Sequence, residues 1–321
     1  MGRVLARSRP LGGRMSKFKR GLVFATRYIR TLRGGSQPML IEATDGFFYV
    51  VKFNNNIQGA NVPFNEAAGS TLYRALGLQG PAWRPIFVSD LFLDQNPQCW
   101  IRTVEGPLLR PATGLTFGSR FLGGGSTRLL GILPENSFSR VTNRDSFWLA
   151  WLIDVCAHHT DDRQAVFMEG ATGCLEAYFV DHGHLFGGPN GGGQKPFLGL
   201  RYLDPRIYQD VSSSYLQDLL EAPGTLNVDL LWRRIQDLPD HWKTASALCC
   251  FAKCLDTLSD TKSLQGIADK LIDAFVLSNG FEHDLPQRGC KTPVRVLRLG
   301  VQATGFGPCP VSRGADRRAC A

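Results

Sequence analysis

A chain of 321 residues, 43% apolar and 10% aromatic, is long enough for one large domain or a two-lobed one, and its composition excludes a fibrous or wholly unfolded chain. The net charge of +8 sits at the ends: residues 1–33 hold ten Lys and Arg with no acid, residues 285–321 hold seven with one Asp, and the body between stands near −8. The basic excess therefore describes the tails, which are read as solvated arms rather than a nucleic-acid surface.

The predicted elements follow in order. Residues 1–21 are a basic tail. Residues 22–32 alternate as a strand, Arg33-Gly-Gly-Ser-Gln-Pro38 is a tight turn, and residues 39–43 form a second strand. Asp45-Gly46 is a hairpin turn and residues 47–53 a third strand, carrying Lys52. Asn65 caps a helix over residues 66–76 that opens with Glu66, and Gly77 closes it. Further strands are expected at 83–89 and 99–104, followed by an irregular, glycine-rich region at 106–134. Asn143 caps a Trp-rich helix at 144–158, residues 187–193 are a loop, and helices follow at 211–221, 229–237, 240–258 and 261–278. Beyond 286 no periodicity survives, and the end of the chain is read as a disordered tail. The fold class is α+β: a β-rich N-lobe at 22–105 and a helical C-lobe at 106–284, between a tail at 1–21 and another at 285–321.

Nine cysteines show no CxxC pair and no zinc-type spacing, and Cys249, Cys250 and Cys254 fall on a helical pattern as small buried apolar residues. A reducing, cytoplasmic compartment is expected. The longest apolar run, residues 147–157, is too short to span a bilayer and is broken by Asp154, so no membrane role is expected. The N-terminus has no signal-peptide apolar core; its Arg-rich, acid-free composition also fits an organelle presequence, and Met15 offers a second start.

The chemistry concentrates in two stretches. An apolar run ending at Val155 breaks into His158-His-Thr-Asp-Asp-Arg-Gln164, and a second apolar run delivers Asp181 followed by His182 and Gly183. Two carboxylates at the ends of buried elements need partners, because an unpaired buried charge is very costly. Phosphoryl transfer asks for this pair: one Asp to orient the nucleophile, another to hold Mg²⁺ on the phosphates. Each residue also has a plainer reading, Lys52 as a strand-edge lysine and Asp161 with Asp162 as a solvated loop pair. The histidines 158, 159, 182 and 184 with Asp154, Asp161 and Asp181 also offer ligands for a hydrolytic metal centre, though none forms an i, i+4 helical pair.

The turn at 33–38, Phe48-Tyr-Val-Val-Lys-Phe53, Asn65-Glu66, Ala75-Leu-Gly-Leu78, Thr160-Asp-Asp-Arg-Gln164 and Phe179-Val-Asp-His-Gly183 together resemble the HipA-like serine/threonine kinases, a bacterial branch of the two-lobed protein-kinase-like fold. The resemblance spans residues 22–280. It implies that Lys52 meets the phosphates of ATP, that Glu66 is its helix partner, and that Gly34, Gly35 and Ser36 cover the phosphates. It further implies that Asp161 is catalytic and that Asp181 holds Mg²⁺. Arg163 is expected to steady the catalytic loop or the transferring charge. The implied partners are ATP, a protein substrate and an antitoxin-like or DNA-binding protein. Two positions depart from the pattern: Val166 stands where a second metal ligand, Asn, is usual, and His159 where Asn is common. A pseudokinase or nucleotide-binding interaction module is the second reading, and a metal-dependent hydrolase the third.

Overall fold

Alternation at residues 22–32 becomes β1 (Val23–Thr31), with Val23 and Ala25 turned inward and Phe24 and Thr26 outward. In this computed structural model, residues 21–104, 106–124, 128–192, 201–209, 219 and 221–278 are described. The expected tails, and nearly all of the helix expected at 211–221, lie outside them. β2 (Met39–Ala43) and β3 (Phe48–Lys52) pair antiparallel around the Asp45-Gly46 turn, where Gly46 takes φ +77°. β4 (Trp83–Val88) runs parallel beside β1, and β5 (Gly114–Arg120) pairs antiparallel with both β3 and β4. The five strands close into a barrel of order β1-β2-β3-β5-β4, which leaves no open edge. Ile41, Val51, Phe53, Ile86 and Val88 fill its core.

β5 falls in the stretch expected to be irregular, so the barrel takes in residues beyond 105. The strand expected at 99–104 is instead a single 3-10 turn, Pro97–Cys99, and one bridge from Ile101 to Leu109. Cys99 N and Trp100 N donate back to Asn96 O (2.9 Å) and Pro97 O (3.0 Å), closing a turn where a ladder was expected.

α1 (Val62–Ala75) begins four residues earlier than expected, with Pro63 in its first turn and Asn61 at the cap position. Asn65 is therefore inside the helix, fully buried, and its amide donates to the carbonyls of Gly183 (2.9 Å), Leu185 (2.8 Å) and Gly188 (3.1 Å). A Cβ at Gly69 would lie 2.6 Å from both His182 and Leu185, so only glycine lets α1 press this closely on that loop. The next helix, α2 (Asp90–Gln95), is capped by Ser89.

A second core surrounds α3 (Ser146–Cys156), which is apolar on all sides, as a fully enclosed helix must be. Asn143 does not cap it. Its side chain instead donates to Ala177 O (2.9 Å) and accepts from Ala177 N (2.8 Å), fastening the approach to α3 onto a sheet of order β6-β7-β8. The strands of that sheet are β6 (Leu129–Leu130), β7 (Gln164–Glu169) and β8 (Leu175–Val180). α4 (Val228–Gln236), α5 (Ala245–Ser259) and α6 (Thr261–Ser278) complete the described helices. The helix expected over 240–258 is split: Asp240–Trp242 is a 3-10 turn, and Thr244 caps α5 by accepting the Ala247 N–H. On α5, Cys254 is buried, whereas Cys249 is exposed, contrary to expectation. Among the described residues, no helix is long and apolar enough to cross a membrane.

Candidate functional site

Three sequence-predicted residues meet where the barrel approaches the β6-β7-β8 sheet. β3 carries Lys52 inward to 6% exposure, α1 presents Glu66, and Asp181 follows the end of β8. The Lys52 ammonium donates to Glu66 Oε1 and to Asp181 Oδ1, the latter at 2.6 Å. Glu66 also accepts the backbone N–H groups of His182 (3.2 Å) and Gly183 (3.0 Å), so one carboxylate fixes both the lysine and the loop after Asp181. Burial opposes the Lys52 charge, but Glu66 and Asp181 outweigh it and hold the ammonium protonated, above its ordinary value. Burial likewise opposes ionisation of Asp181, yet Lys52 pulls its carboxyl well below the usual carboxylate range. For Glu66, burial wins over the pull of Lys52, and its carboxyl is pushed up.

The loops bearing Asp161 and Asp181 are laced together by main chain. Thr160 N donates to His184 O (3.0 Å), Phe186 N to Ala157 O (2.7 Å) and Gly187 N to His158 O (3.2 Å). Among the described residues, the non-glycine residues at positive φ are Gln37, His158, Asp181 and Phe186, all in these loops or the glycine turn. Such strain costs on the order of 1–3 kcal/mol per residue and persists only where surrounding contacts over-determine it. Asp161 is 44% exposed at its side chain, with Oδ2 4.0 Å from His184 Nε2. It stands on the loop surface and is not among the residues lining the cavity beside Lys52.

Arg163 was expected to steady the catalytic loop or the transferring charge, and its contacts are of the first kind: it is 2% exposed and turned into the core. Nε and Nη2 grip Asp154 of α3 at 2.8 and 2.7 Å, and Nη1 donates to Val180 O at 3.0 Å. Tyr73 of α1 donates to the same Asp154 carboxylate at 2.6 Å. Burial works against the Arg163 charge, but Asp154 outweighs it and the guanidinium stays charged. Arg163 is thus a positioning residue that pins the Asp161 loop to α3 and to the end of β8. The signal in the sequence was Asp154 itself, a lone charge in an apolar helix that had to have a partner.

A cavity of ≈ 300 Å³ opens beside Lys52, Glu66 and Asp181. Its other walls are mostly apolar, including Val50, Phe117, Leu129 and Val180, and mix fixed charges with apolar surface as small-molecule sites do. Leu32, Arg33 and Pro38, flanking the glycine turn, line it, while Gly34, Gly35 and Ser36 themselves do not. Ser36 is buried, and its carbonyl accepts from Asn56 (3.1 Å). Val166 and Gln164, alternate residues of β7, also face the cavity; the second had not been expected there.

The histidines do not gather into a metal centre. His182 is fully enclosed, its Nδ1 3.3 Å from Arg163 Nη1 and its ring 4.5 Å from that of Tyr73, and burial holds it far below its ordinary value. His159 packs in the same network, with Nε2 3.3 Å from Arg163 Nη2. Among the described residues, no group of three or more His, Cys, Asp or Glu is placed to hold a metal ion.

No family model matches the chain, and neither does any curated protein. Among solved structures it is similar to the Helicobacter pylori proinflammatory kinase CtkA, at 12% identity and TM-score 0.48, over 76% of this chain and 95% of that one. It is also similar to the Golgi casein kinase, at 14% identity and TM-score 0.43, over 80% and 73% of the two chains. A form of that kinase with Mn and ADP bound gives 13% identity and TM-score 0.42, over 80% and 74%. All three scores lie below 0.5, so the functional reading rests on the geometry of the site.

Proposed function

We propose that this chain is a HipA-like kinase that transfers the γ-phosphate of ATP to a Ser or Thr hydroxyl of a protein. The observation that carries this reading is the buried Lys52 cation shared by Glu66 and Asp181 in the wall of a largely apolar cavity. A fixed cation beside an apolar pocket suits a nucleotide, whose base takes the apolar walls and whose phosphates take the charge. The barrel acts as the nucleotide-binding lobe and the helical part as the second lobe.

In this reading Lys52 neutralises phosphate oxygens, and Glu66 keeps its ammonium in place. Asp161, open to solvent on its loop, accepts the proton of the acceptor hydroxyl as its oxygen bonds to the γ-phosphorus. The bond from that phosphorus to the β–γ bridging oxygen breaks, and ADP leaves with the electron pair. Asp181 is the carboxylate that would hold Mg²⁺, and Gln164 brings an amide to the lining of the same cavity. Mg²⁺ fits so sparse a donor set, because it keeps several waters and often takes only one or two carboxylates. The ion would neutralise charge on the phosphates. Val166 offers no lone pair, which favours a second reading, nucleotide binding with little turnover.

Incubating the full chain with γ-labelled ATP and Mg²⁺ in a cell lysate tests the proposal. Label should enter a protein on Ser or Thr, and an Asp161→Asn chain should leave that protein unlabelled. MgATP binding without any transfer would favour the second reading. No MgATP binding at all would overturn both.

A further inference from the structure

A second cavity, ≈ 750 Å³, is not lined by Lys52, Glu66 or Asp181. It shares Gln164, Val166 and Val180 with the nucleotide cavity, so the two spaces meet along the start of β7 and the end of β8. Asp162, next to the proposed catalytic Asp161, stands in its wall. The remaining wall is largely apolar, with Ile132, Leu133, Phe138, Tyr202 and Leu203 among its residues.

Charge decides what this cavity does not hold. The cations in its wall are Arg163 and Arg206. Arg163 is gripped on two nitrogens by Asp154, and Arg206 donates to Asp204 at 2.6 Å. Both are matched by carboxylates of the chain itself, and Asp162 and Asp204 add negative charge to the wall, which disfavours a phosphate. At the rim, Ile132 and Leu203 are each 84% exposed. Large apolar side chains left in water next to an apolar cavity mark a surface that a partner covers. They also carry the apolar surface out of the cavity onto the exterior, where an extended chain reaches it and a small enclosed ligand does not.

We infer that this cavity docks the acceptor polypeptide, seating a large apolar side chain close in sequence to the residue that takes the phosphate. This rests on the kinase reading and deepens it. Continuity with the nucleotide cavity gives the register: an apolar anchor held here places a neighbouring hydroxyl toward the shared wall at Gln164. Among the described wall residues both cations are already paired, which selects against acidic residues beside the acceptor.

The test uses the purified full chain, labelled MgATP and an array of peptides with a central Ser or Thr and each flanking position varied. Transfer should favour Leu, Ile, Phe or Met at one flanking position. Leu203→Asp and Ile132→Asp, both at exposed positions where the fold tolerates them, should flatten that preference by about tenfold, equivalent to ~1.4 kcal/mol. Melting temperature and stabilisation by MgATP should stay at wild-type values in both variants. Absence of any flanking preference, or an unchanged preference in both variants, overturns the inference. So does a wild-type chain that binds MgATP and labels small hydroxyl compounds but no peptide. Failure of the kinase reading looks different: the wild-type chain is then not stabilised by MgATP at all.

Discussion

The Glu66 carboxylate receives the Lys52 ammonium and also the backbone N–H groups of His182 and Gly183. A single residue of α1 thus sets the position of a β3 side chain and of the turn after β8. Glu66→Gln keeps the size and one acceptor oxygen but loses the charge. It should weaken nucleotide binding by less than loss of Lys52 does, and it should loosen the 182–183 turn. Amide hydrogen exchange at His182 and Gly183 checks this: faster exchange in the variant is expected, whereas unchanged protection would detach Glu66 from the loop.

Asp161 and Asp181 should separate chemistry from binding. Asp161 lies on an exposed loop surface, and Asp181 lines the nucleotide cavity. Asp161→Asn is expected to retain MgATP affinity and lose transfer by about 10²–10⁴-fold, the usual worth of a positioned base. Asp181→Asn is expected to lose the Mg²⁺-dependent part of nucleotide binding. Calorimetric titration with ATP, with and without Mg²⁺, distinguishes the two; full transfer in both variants would place the active site elsewhere.

Arg163 and Asp154 form a buried, doubly hydrogen-bonded pair at 2.8 and 2.7 Å. Removing one partner leaves a buried charge, so Arg163→Met should cost about 3–5 kcal/mol of stability. Asp154→Leu combined with Arg163→Met should recover much of that loss. A denaturant-unfolding double-mutant cycle measures the coupling. Additive losses would show that the two side chains do not act as a pair.

His182 gives a pH dependence with a definite sign. Arg163 only donates, so the His182 Nδ1 facing it is the acceptor of a neutral ring. Burial, then the Arg163 charge, depresses the folded value well below 6.5, while Asp154 and Asp181 oppose this. The unfolded chain therefore binds more protons below pH 6.5, and the stability this group contributes, full above 6.5, is lost as pH falls through the window beneath it. Glu66, whose carboxyl is raised, works in the opposite direction above 4.5, and Lys52 and Asp181 act only at the extremes. The difference between wild type and His182→Asn isolates the histidine. Wild type should lose more melting temperature than the variant between pH 7.5 and 5.5; equal losses would contradict a neutral buried ring.

Much of this arrangement was legible in the sequence because its signals are local. Alternation and the Asp45-Gly46 turn mark β1 to β3, and Asp181 stands where an apolar strand gives way to glycine, while Lys52 and Glu66 were singled out by the resemblance of their motifs to HipA-like kinases. β5 was missed because Gly114 and Gly118 break its alternation, and because what holds it is pairing with β3 and β4, distant in sequence. Asn65 resembled a helix cap since it precedes Glu66. Pro63 starts the helix earlier, and the Asn65 amide serves three carbonyls more than a hundred residues away. Arg163 sits in the loop beside the chemistry, and only the fold shows that it points at Asp154.

The central claim is that the Lys52 cation is the phosphate anchor of a nucleotide site, and MgATP binding by wild type and Lys52→Met tests it most directly. Met has a similar length and no charge, so the variant leaves Glu66 free to take up a proton while the barrel core is kept. The account predicts that MgATP raises the melting temperature of wild type and leaves that of folded Lys52→Met unchanged, with calorimetric affinity lost in parallel. Equal MgATP affinity in the two chains would contradict it.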